Sequence, residues 1–353
     1  MIKKLLKWLF YTVSAFFIVL IIVFLSLIRP DIPVEKLKED YTNHTSRFIE
    51  IDGMQVHIQD EGDGPAVFLI HGTFASLHTW DEWTEALSDS FRVIRLDLPG
   101  FGLTGPHPQN DYSTRSTLYL FEEIRQYLGV ESWVVAGNSL GARFAAEYAR
   151  HFPDNTEAVV FLNGAGGLGN PSQREVVNNQ ISTSNQNSTA QPQRQSIVWK
   201  ALGNQYLRKM MSITTPRFAF SYSLKEVYAD PHLIEPETID RYYNLLRREG
   251  NRQSFLARNQ GVLGDRSTIP ELPTPAYLPD LEHPTLIIWG EKDRWVPVQT
   301  ANRLKQLLPH ARLIIYPNAG HVPMEEIPTE SVKDFRTFLN EVYSLGYPSN
   351  IYE

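Results

Sequence analysis

The chain of 353 residues contains no cysteine. That absence excludes disulfide bonds, thiol catalysis and metal sites built on cysteine. No spacing of His, Asp and Glu is typical of a metal site, so we expect neither a metal nor a cofactor. Positive charge is also scarce, because the net charge is -7 and no basic patch alternates with aromatic residues. We therefore exclude nucleic acid as a partner.

The first thirty residues lack any acidic side chain, and Trp8 to Ile28 is a run of 21 residues without charge. Such a run is long enough to cross a hydrocarbon core of about 30 Å as a helix. A cleaved signal peptide has an apolar region of about 7–15 residues followed by small residues. Here the run is longer, and residues 24–28 are bulky apart from Ser26. We therefore predict an uncleaved transmembrane anchor over residues 1–29.

The charges flanking this run predict its orientation. Lys3, Lys4 and Lys7 precede the run, and Arg29 alone follows it closely. The positive-inside rule then predicts a cytoplasmic N-terminus with the body on the far, periplasmic or extracytoplasmic, side of the membrane. Because only a few charges determine this orientation, the alternative is that the body of the protein lies in the cytoplasm.

A charged juxtamembrane linker over residues 30–46 leads to a body with alternating strand and helix patterns. A hairpin over 47–51 and 54–59 turns at Asp52-Gly53. Further strands are predicted at 66–70, 91–96, 133–136, 158–162, 285–289 and 313–316, and helices at 80–87, 116–128, 140–151, 298–308 and 329–343. Near-continuous apolar strands separated by helices predict the α/β class, with a mostly parallel, doubly wound sheet covered on both faces.

A long insertion interrupts this alternation. Residues 177–195 contain no acid and are dominated by Asn, Gln, Ser and Thr, which favours loop structure. Aromatic-rich helical patterns follow at 197–211, 218–227 and 238–248. We therefore predict a core in two parts, 47–166 and 283–353, with a helical lid or cap over 167–282.

Ser139 lies in Gly137-Asn138-Ser139-Leu140-Gly141, directly after a predicted strand and directly before a predicted helix. That arrangement is typical of a nucleophile elbow. The tight turn lifts the hydroxyl clear of the sheet, and it requires small residues two positions before and two positions after the serine. Ser139 is therefore the predicted nucleophile.

A serine hydroxyl needs a base and a group that orients the base. His321 follows the last predicted strand and is the best of ten histidines for the base. Asp293 follows the strand 285–289 and is the best acid, with Glu291 as a weaker competitor. The other position where an acid is expected is the end of the strand 158–162. No Asp or Glu occurs between Ala158 and Arg174, so that position has no candidate. All three candidates follow strands, where catalytic groups of open parallel sheets gather.

An oxyanion hole is predicted from two backbone amides. His71-Gly72-Thr73-Phe74 follows the strand 66–70, and the amide of Thr73 lies in it. The second amide is that of Leu140, directly after the nucleophile. Such donors stabilise the negative oxygen of a tetrahedral intermediate.

These pieces, in this order, resemble the α/β-hydrolase superfamily over residues 47–345. The pieces are His71-Gly72-Thr73-Phe74, Asp97-Leu98-Pro99-Gly100-Phe101-Gly102, the Ser139 pentapeptide, Gly290-Glu291-Lys292-Asp293 with Val296-Pro297, and Ala319-Gly320-His321. The resemblance implies the triad Ser139, Asp293 and His321, and oxyanion donors at Thr73 and Leu140. With its serine nucleophile and N-terminal anchor, the chain is similar to membrane-tethered, monoacylglycerol-lipase-like hydrolases. Haloalkane dehalogenase and epoxide hydrolase activities are disfavoured, since those enzymes carry aspartate at this position.

The expected activity is hydrolysis of carboxylic esters, lipid-like or with other apolar acyl groups, through an acyl-enzyme. Aromatic residues predict an apolar substrate pocket: Phe74, Trp199, Phe218, Phe220 and Tyr222, with Tyr228 as a further candidate. Two alternatives stay open: a carbon–carbon hydrolase of ring-cleavage products, and a receptor-like protein that binds a small ligand with little turnover. Gly164 to Gly169 fits G-x-G-x-x-G, but Asn170-Pro171 follows, so we do not expect dinucleotide binding.

Overall fold

The structure is a computed structural model that describes residues 2–164, 206, 210, 212–263 and 281–346. Three parts of the prediction lie outside the described residues: positions 165–169 of the Gly164–Gly169 motif, Trp199, and most of the predicted helix 197–211.

Eight strands form one sheet. They are β1 (Ser46–Ile51), β2 (Met54–Glu61), β3 (Ala66–Ile70), β4 (Arg92–Leu96), β5 (Trp133–Asn138), β6 (Thr156–Leu162), β7 (Thr285–Gly290) and β8 (Arg312–Tyr316). Their order is β1-β2-β4-β3-β5-β6-β7-β8, and only the β1–β2 and β2–β4 pairs are antiparallel. The predicted mostly parallel sheet is therefore confirmed. The hairpin turn is confirmed as well, because Asp52 and Gly53 both have positive φ, 51° and 75°.

The described residues form eleven α-helices. They are α1 (Ile2–Leu27), α2 (Val34–Tyr41), α3 (Asp81–Leu87), α4 (Thr114–Tyr127), α5 (Leu140–His151), α6 (Arg217–Lys225), α7 (Pro236–Leu246), α8 (Asn251–Leu263), α9 (Gln299–Leu307), α10 (Pro323–Glu326) and α11 (Pro328–Gly346). Short 3-10 turns cover Leu77–Trp80, Pro153–Asn155 and Pro231–Leu233. The sequence did not predict α2, α8 or α10.

Alternating side chains of the central strands enter two separate cores, one on each face of the sheet. Phe68 of β3 belongs to the core that contains side chains of α4, α5 and α9, while Val67 and Leu69 belong to the core that contains side chains of α3 and α11. This division follows from the two-residue period of a strand. Burial on both faces explains why the central strands are apolar throughout.

The described part of the insertion, which we call the cap, comprises residues 212–263 between β6 and β7. Helices α6 and α7 contribute Leu224, Ile239 and Tyr242 to the same core as α3 and α11. The cap is therefore joined to the sheet domain by buried apolar contacts.

The N-terminal residues form two different structures. One helix among the described residues, Lys3–Leu27, is long and apolar enough to cross a membrane, since an 18-residue stretch of it has a mean hydropathy of 2.6 and none of that stretch is buried. The following residues, predicted as a linker over 30–46, contain α2, whose Leu37 packs with Leu103 and Leu245. These residues thus pack on the body through apolar side chains. Their charged composition did not predict this contact.

Candidate active site

Ser139 occupies the sharp corner between β5 and α5. Its backbone has φ 54° and ψ −109°, a conformation that non-glycine residues seldom adopt. A Cβ on Gly137 would lie 2.2 Å from the carbonyl carbon of Gly141, and one on Gly141 would lie 2.1 Å from the carbonyl oxygen of Ile70. The corner can therefore form only with glycine at both positions, which is the physical basis of the sequence pattern.

Gly164 packs against the same corner. A Cβ at this position would lie 2.4 Å from the carbonyl oxygen of Ser139. The first glycine of the G-x-G-x-x-G pattern therefore has a packing role beside the nucleophile elbow.

His321 and Asp293 are hydrogen-bonded to each other. The Nδ1 atom of His321 lies 2.7 Å from Oδ2 of Asp293, and both side chains are buried. The other carboxylate oxygen of Asp293 accepts from the amides of Trp295 and Val296 at 2.7 and 2.9 Å. Ser139 and His321 line one cavity. The structure thus brings the three predicted triad residues to one edge of the sheet.

Two buried asparagines, whose roles the sequence did not reveal, hold this arrangement. Asn163, directly after β6, donates from Nδ2 to Oδ2 of Asp293 at 2.7 Å and to the carbonyl of Gly320 at 3.0 Å. Asn138 donates to the carbonyl of His321 at 3.0 Å. The sequence feature that could have indicated these roles is a polar residue at the end of each of the two apolar strands.

The remaining backbone groups around His321 are bonded as well. Its amide donates to the carbonyl of Val227 in the cap at 2.8 Å. The amide of Gly320 donates to Oε1 of Glu326 at 2.8 Å, and burial raises the pKa of that carboxyl group. The histidine loop is therefore fixed by bonds to the sheet, the cap and α10.

The predicted oxyanion amides belong to residues at the wall of the same cavity or directly beside it. Thr73 lines it, and Leu140 begins α5, where the first amides have no acceptor within the helix. Among the described residues, no acceptor is bonded to the amide of either Thr73 or Leu140. His71 shapes this loop, since its Nδ1 bonds the carbonyl of Gly72 at 2.7 Å and its Nε2 accepts from the amide of Leu98 at 3.0 Å. Burial lowers the pKa of His71, which fits its neutral role.

Asp97 organises the loop that follows β4. Its carboxylate accepts from the amides of Leu77 and Leu103, each at 2.8 Å, and from Nδ1 of His57 at 2.8 Å. Burial acts to raise the pKa of Asp97, but the hydrogen bond and charge of His57 outweigh it and hold the pKa below its usual range. His57 and Asp97 are thus structural partners beneath the site.

The cavity encloses about 1250 Å³ of empty space, its mouth included. Apolar side chains from the core and from the cap form most of its wall. They include Phe74, Ala75, Pro216, Ala219, Phe220, Leu224, Val227, Leu246, Phe255, Leu256, Trp295 and Val322. Its polar groups include Ser223, Tyr242 and Arg252. The cavity is therefore suited to an apolar substrate with few polar groups.

The predicted pocket residues divide into two groups. Phe74 and Phe220 line the cavity. Phe218 and Tyr222 do not, and they are 73% and 63% exposed. They differ from the prediction because α6 directs Ala219, Phe220, Ser223 and Leu224 inward and places residues 218 and 222 on another face. Tyr228 is buried and donates its hydroxyl to Glu325 instead.

Arg252 is a buried cation in the wall of this cavity. Its Nε and Nη2 atoms bond Oδ1 of Asp31 at 3.0 and 2.6 Å, and Nη2 also bonds the carbonyl of Arg29 at 2.7 Å. Its Nη1 atom is buried, and no described residue bonds it. No local sequence pattern indicated a role for Arg252, because its partners lie more than two hundred positions away.

A sequence model of the alpha/beta hydrolase fold matches residues 65–328, from the residue before β3 to the first residue of α11. The chain belongs to the α/β-hydrolase family.

Several relatives of this α/β-hydrolase have curated names. A 2-hydroxy-6-oxononadienedioate/2-hydroxy-6-oxononatrienedioate hydrolase from Comamonas testosteroni is 25% identical over 292 residues, which cover 78% of this chain and 90% of that protein. An uncharacterized hydrolase from Bacillus subtilis is 26% identical, covering 82% of this chain and 97% of that protein.

Solved structures share the same fold. A membrane phospholipase A described as a bacterial virulence factor has a TM-score of 0.64 and 24% identity, covering 97% of this α/β-hydrolase and 99% of that chain. A putative lipase from Acinetobacter baumannii has a TM-score of 0.66 and 21% identity, covering 90% and 98%.

Proposed function

We propose that this protein is a membrane-anchored serine hydrolase that cleaves apolar carboxylic esters through an acyl-enzyme. The observation that carries the proposal is the meeting of Ser139, on a strained elbow, with the His321–Asp293 pair in one largely apolar cavity. A strained serine that lines the same cavity as an oriented imidazole is the arrangement that nucleophilic acyl transfer requires.

In the proposed mechanism, Oγ of Ser139 attacks the ester carbonyl carbon while His321 removes the hydroxyl proton. Because Nδ1 of His321 bonds Asp293, Nε2 is the nitrogen that exchanges the proton. The amides of Thr73 and Leu140 stabilise the oxyanion. Collapse of the intermediate breaks the ester bond, and His321 returns the proton to the leaving alcohol. Water, deprotonated by His321, then attacks the acyl carbon and releases the acid and Ser139.

The nucleophile is tested with a fluorophosphonate probe, which labels activated serines. We expect Ser139→Ala to abolish labelling. Ser223→Ala is the matched control, because Ser223 lines the same cavity and we expect its removal to leave labelling intact. Labelling that persists in Ser139→Ala contradicts the assignment.

Carbon–carbon bond hydrolysis is the second candidate. Two observations favour it: the name of the Comamonas relative, whose substrate is a dioate, and the buried Nη1 of Arg252 in the cavity wall. A guanidinium donor of this kind suits a substrate carboxylate. Rates on 4-nitrophenyl hexanoate and on 2-hydroxy-6-oxo-6-phenylhexa-2,4-dienoate separate the two activities. Turnover of the dienoate alone would replace the ester proposal.

The anchor and its orientation belong to the same proposal. Helix α1 has the length and hydropathy of a membrane span, and the bulky residues after it disfavour cleavage. Three lysines before the span predict a body outside the cytoplasm. We therefore expect a C-terminal alkaline phosphatase fusion to be active and a C-terminal green fluorescent protein fusion exported by the Sec route to be dark. The reverse pattern would place the body in the cytoplasm.

A further inference from the structure

The chain is bonded to the cap immediately after the end of α1. The amide of Arg29 donates to the carbonyl of Ile213 at 3.0 Å, and the amide of Ile32 donates to the carbonyl of Arg247 at 2.7 Å. Asp31 forms an ion pair with Arg252 at 2.6 Å. The carbonyl of Pro30 accepts from Nη2 of Arg247 at 2.9 Å, so all four residues from 29 to 32 contact the cap directly.

These bonds fix how far the cap lies from the end of the apolar helix. Arg29 is two positions after Leu27, and an extended chain spans at most about 3.6 Å per residue. Ile213 is thus within about 10 Å of the last residue of α1 when its own 3.0 Å bond is included. If α1 spans a bilayer, this part of the cap is at the membrane surface.

The same part of the cap exposes apolar side chains. Ile213 is 42% exposed, and Phe218 and Tyr222 of the neighbouring helix α6 are 73% and 63% exposed. The other face of α6 carries Phe220 and Leu224, which line the active-site cavity. A helix with apolar side chains on both faces is expected where neither face meets water.

We propose that Ile213, Phe218 and Tyr222 insert into the interface of the bilayer that holds α1, so that α6 separates the cavity from lipid and an apolar ester enters the cavity from the membrane. Aromatic side chains favour this depth, because their rings are apolar and a tyrosine hydroxyl reaches water. This inference rests on the proposed anchor and deepens the proposed function, since it makes the substrate a lipid-soluble ester.

The insertion is tested without reference to activity. The chain has no cysteine, so Tyr222→Cys accepts a single environment-sensitive fluorophore. Tyr119→Cys is the matched control, because Tyr119 is 52% exposed on α4 of the core. In phosphatidylcholine vesicles carrying the full chain, we expect blue-shifted emission at 222 and iodide quenching about threefold weaker than at 119.

Iodide quenching at 222 equal to that at 119 overturns the proposal. Shielding of 222 that disappears as lipid is added at constant protein overturns it too, because the occupant is then a second copy of the chain.

Entry from the membrane is tested by activity in the same vesicles. We expect Phe218→Ser with Tyr222→Ser to slow hydrolysis of a long-chain monoacylglycerol in the bilayer about tenfold, and to change hydrolysis of a soluble butyrate ester less than about twofold. Tyr119→Ser with Tyr127→Ser, on α4, should change neither rate. Equal loss on both esters contradicts entry from lipid. A wild type inactive on every ester refutes the proposed function, while the quenching result still decides the insertion.

Discussion

At the residue scale, the position of the Asp293 carboxylate depends on four donors. Oδ2 accepts from His321 and Asn163, and Oδ1 accepts from the amides of Trp295 and Val296. Asn163 also accepts from the amide of Gly290 at 3.3 Å, so one side chain joins the ends of β6 and β7 to the histidine loop. Its own φ of 47° shows that the backbone is held in a seldom-used conformation to reach these partners.

We expect Asn163→Ala to lower kcat for ester hydrolysis about tenfold or more with little change in KM, because Asp293 and the Gly320 carbonyl lose their shared donor. The change acts through the orientation of His321 and not through substrate contact. Steady-state kinetics on a soluble ester provides the measurement. Asn155→Ala is the control, since Asn155 donates only to the carbonyl of Glu131 on the surface. Wild-type kcat in Asn163→Ala would refute this positioning role.

The sequence predicted the triad residues and could not predict the asparagines, for a physical reason. Ser139, Asp293 and His321 belong to motifs whose local turns require particular residues, and these turns are visible in the sequence. Asn163 and Asn138 act through bonds to backbone atoms as far as 157 and 183 positions away. Only the folded sheet determines which carbonyl lies beside them.

At the element scale, the junction of β5 with α5 is limited by the approach of backbone to backbone. A Cβ on Gly141 would meet the carbonyl oxygens of Ile70 and His71 at 2.1 and 2.9 Å, and neither can move without displacing β3 or the oxyanion loop. The first turn of α5 therefore packs so closely on the sheet and the loop that only glycine, which has no Cβ, fits at position 141.

We expect Gly141→Ala to lower the free energy of unfolding by about 3 kcal/mol or more, since the clash involves backbone and cannot be relieved by a rotamer change. Thermal and urea unfolding measure it. Gly129→Ala is the matched control, because Gly129 has φ 65° but no atom within 4 Å of an added Cβ. Its cost should be about 1 kcal/mol. Equal costs would show that the close packing at the elbow is unimportant.

The loop after β4 predicts an acid-sensitive contribution to stability. Asp97 has a pKa below its unfolded value of 3.8, because its bonds outweigh the effect of burial. A carboxyl group of this kind stabilises the fold above pH 3.8 and loses that contribution as the pH falls further.

We expect Asp97→Asn to destabilise the protein by about 3 kcal/mol at pH 6, because His57 and the loop amides lose a buried carboxylate. The difference from wild type should shrink as the pH falls below about 4, because the carboxyl group of Asp97 is then protonated in the unfolded chain while it stays ionised in the folded protein. Urea unfolding at each pH measures the difference. Asp111→Asn is the control, since Asp111 bonds only Ser113 at the surface. A difference that does not depend on pH would contradict the role of the charge.

Strands and amphipathic helices were the elements that the sequence predicted best, because their apolar periods are local. Helix α8 was missed since its position is fixed by distant groups. Its first residue, Asn251, donates to the carbonyls of Gly102 and Leu245, and its Arg252 and Arg258 bond Asp31 and the carbonyl of Pro99. Polar residues that are buried by such bonds give no apolar pattern. Helix α6 has apolar residues on both faces, so the sequence pattern could not show which of its aromatic side chains enter the cavity.

At the scale of the whole molecule, the segment that follows α1 joins the membrane-spanning candidate to the active-site cap. Arg252 is 5% exposed and bonds both Asp31 and the carbonyl of Arg29, while it also lines the cavity. The charges of residues 30–46 predicted a juxtamembrane linker. Asp31 has its partner, Arg252, in the cap, and this pairing could not be inferred from local composition.

A pair of truncations separates the anchor from this contact. Removing residues 1–27 takes away a helix whose apolar span is not buried in the structure, so we expect the free energy of unfolding of the body to stay within about 0.5 kcal/mol of the full chain. Removing residues 1–33 also takes away Asp31 and leaves the Arg252 guanidinium unpaired. Because Asp31 is 26% exposed, we expect a loss of about 2 kcal/mol, less than for a fully buried pair. Urea unfolding in the same detergent compares the three chains, and equal stability of both truncations would show that the segment only tethers the body.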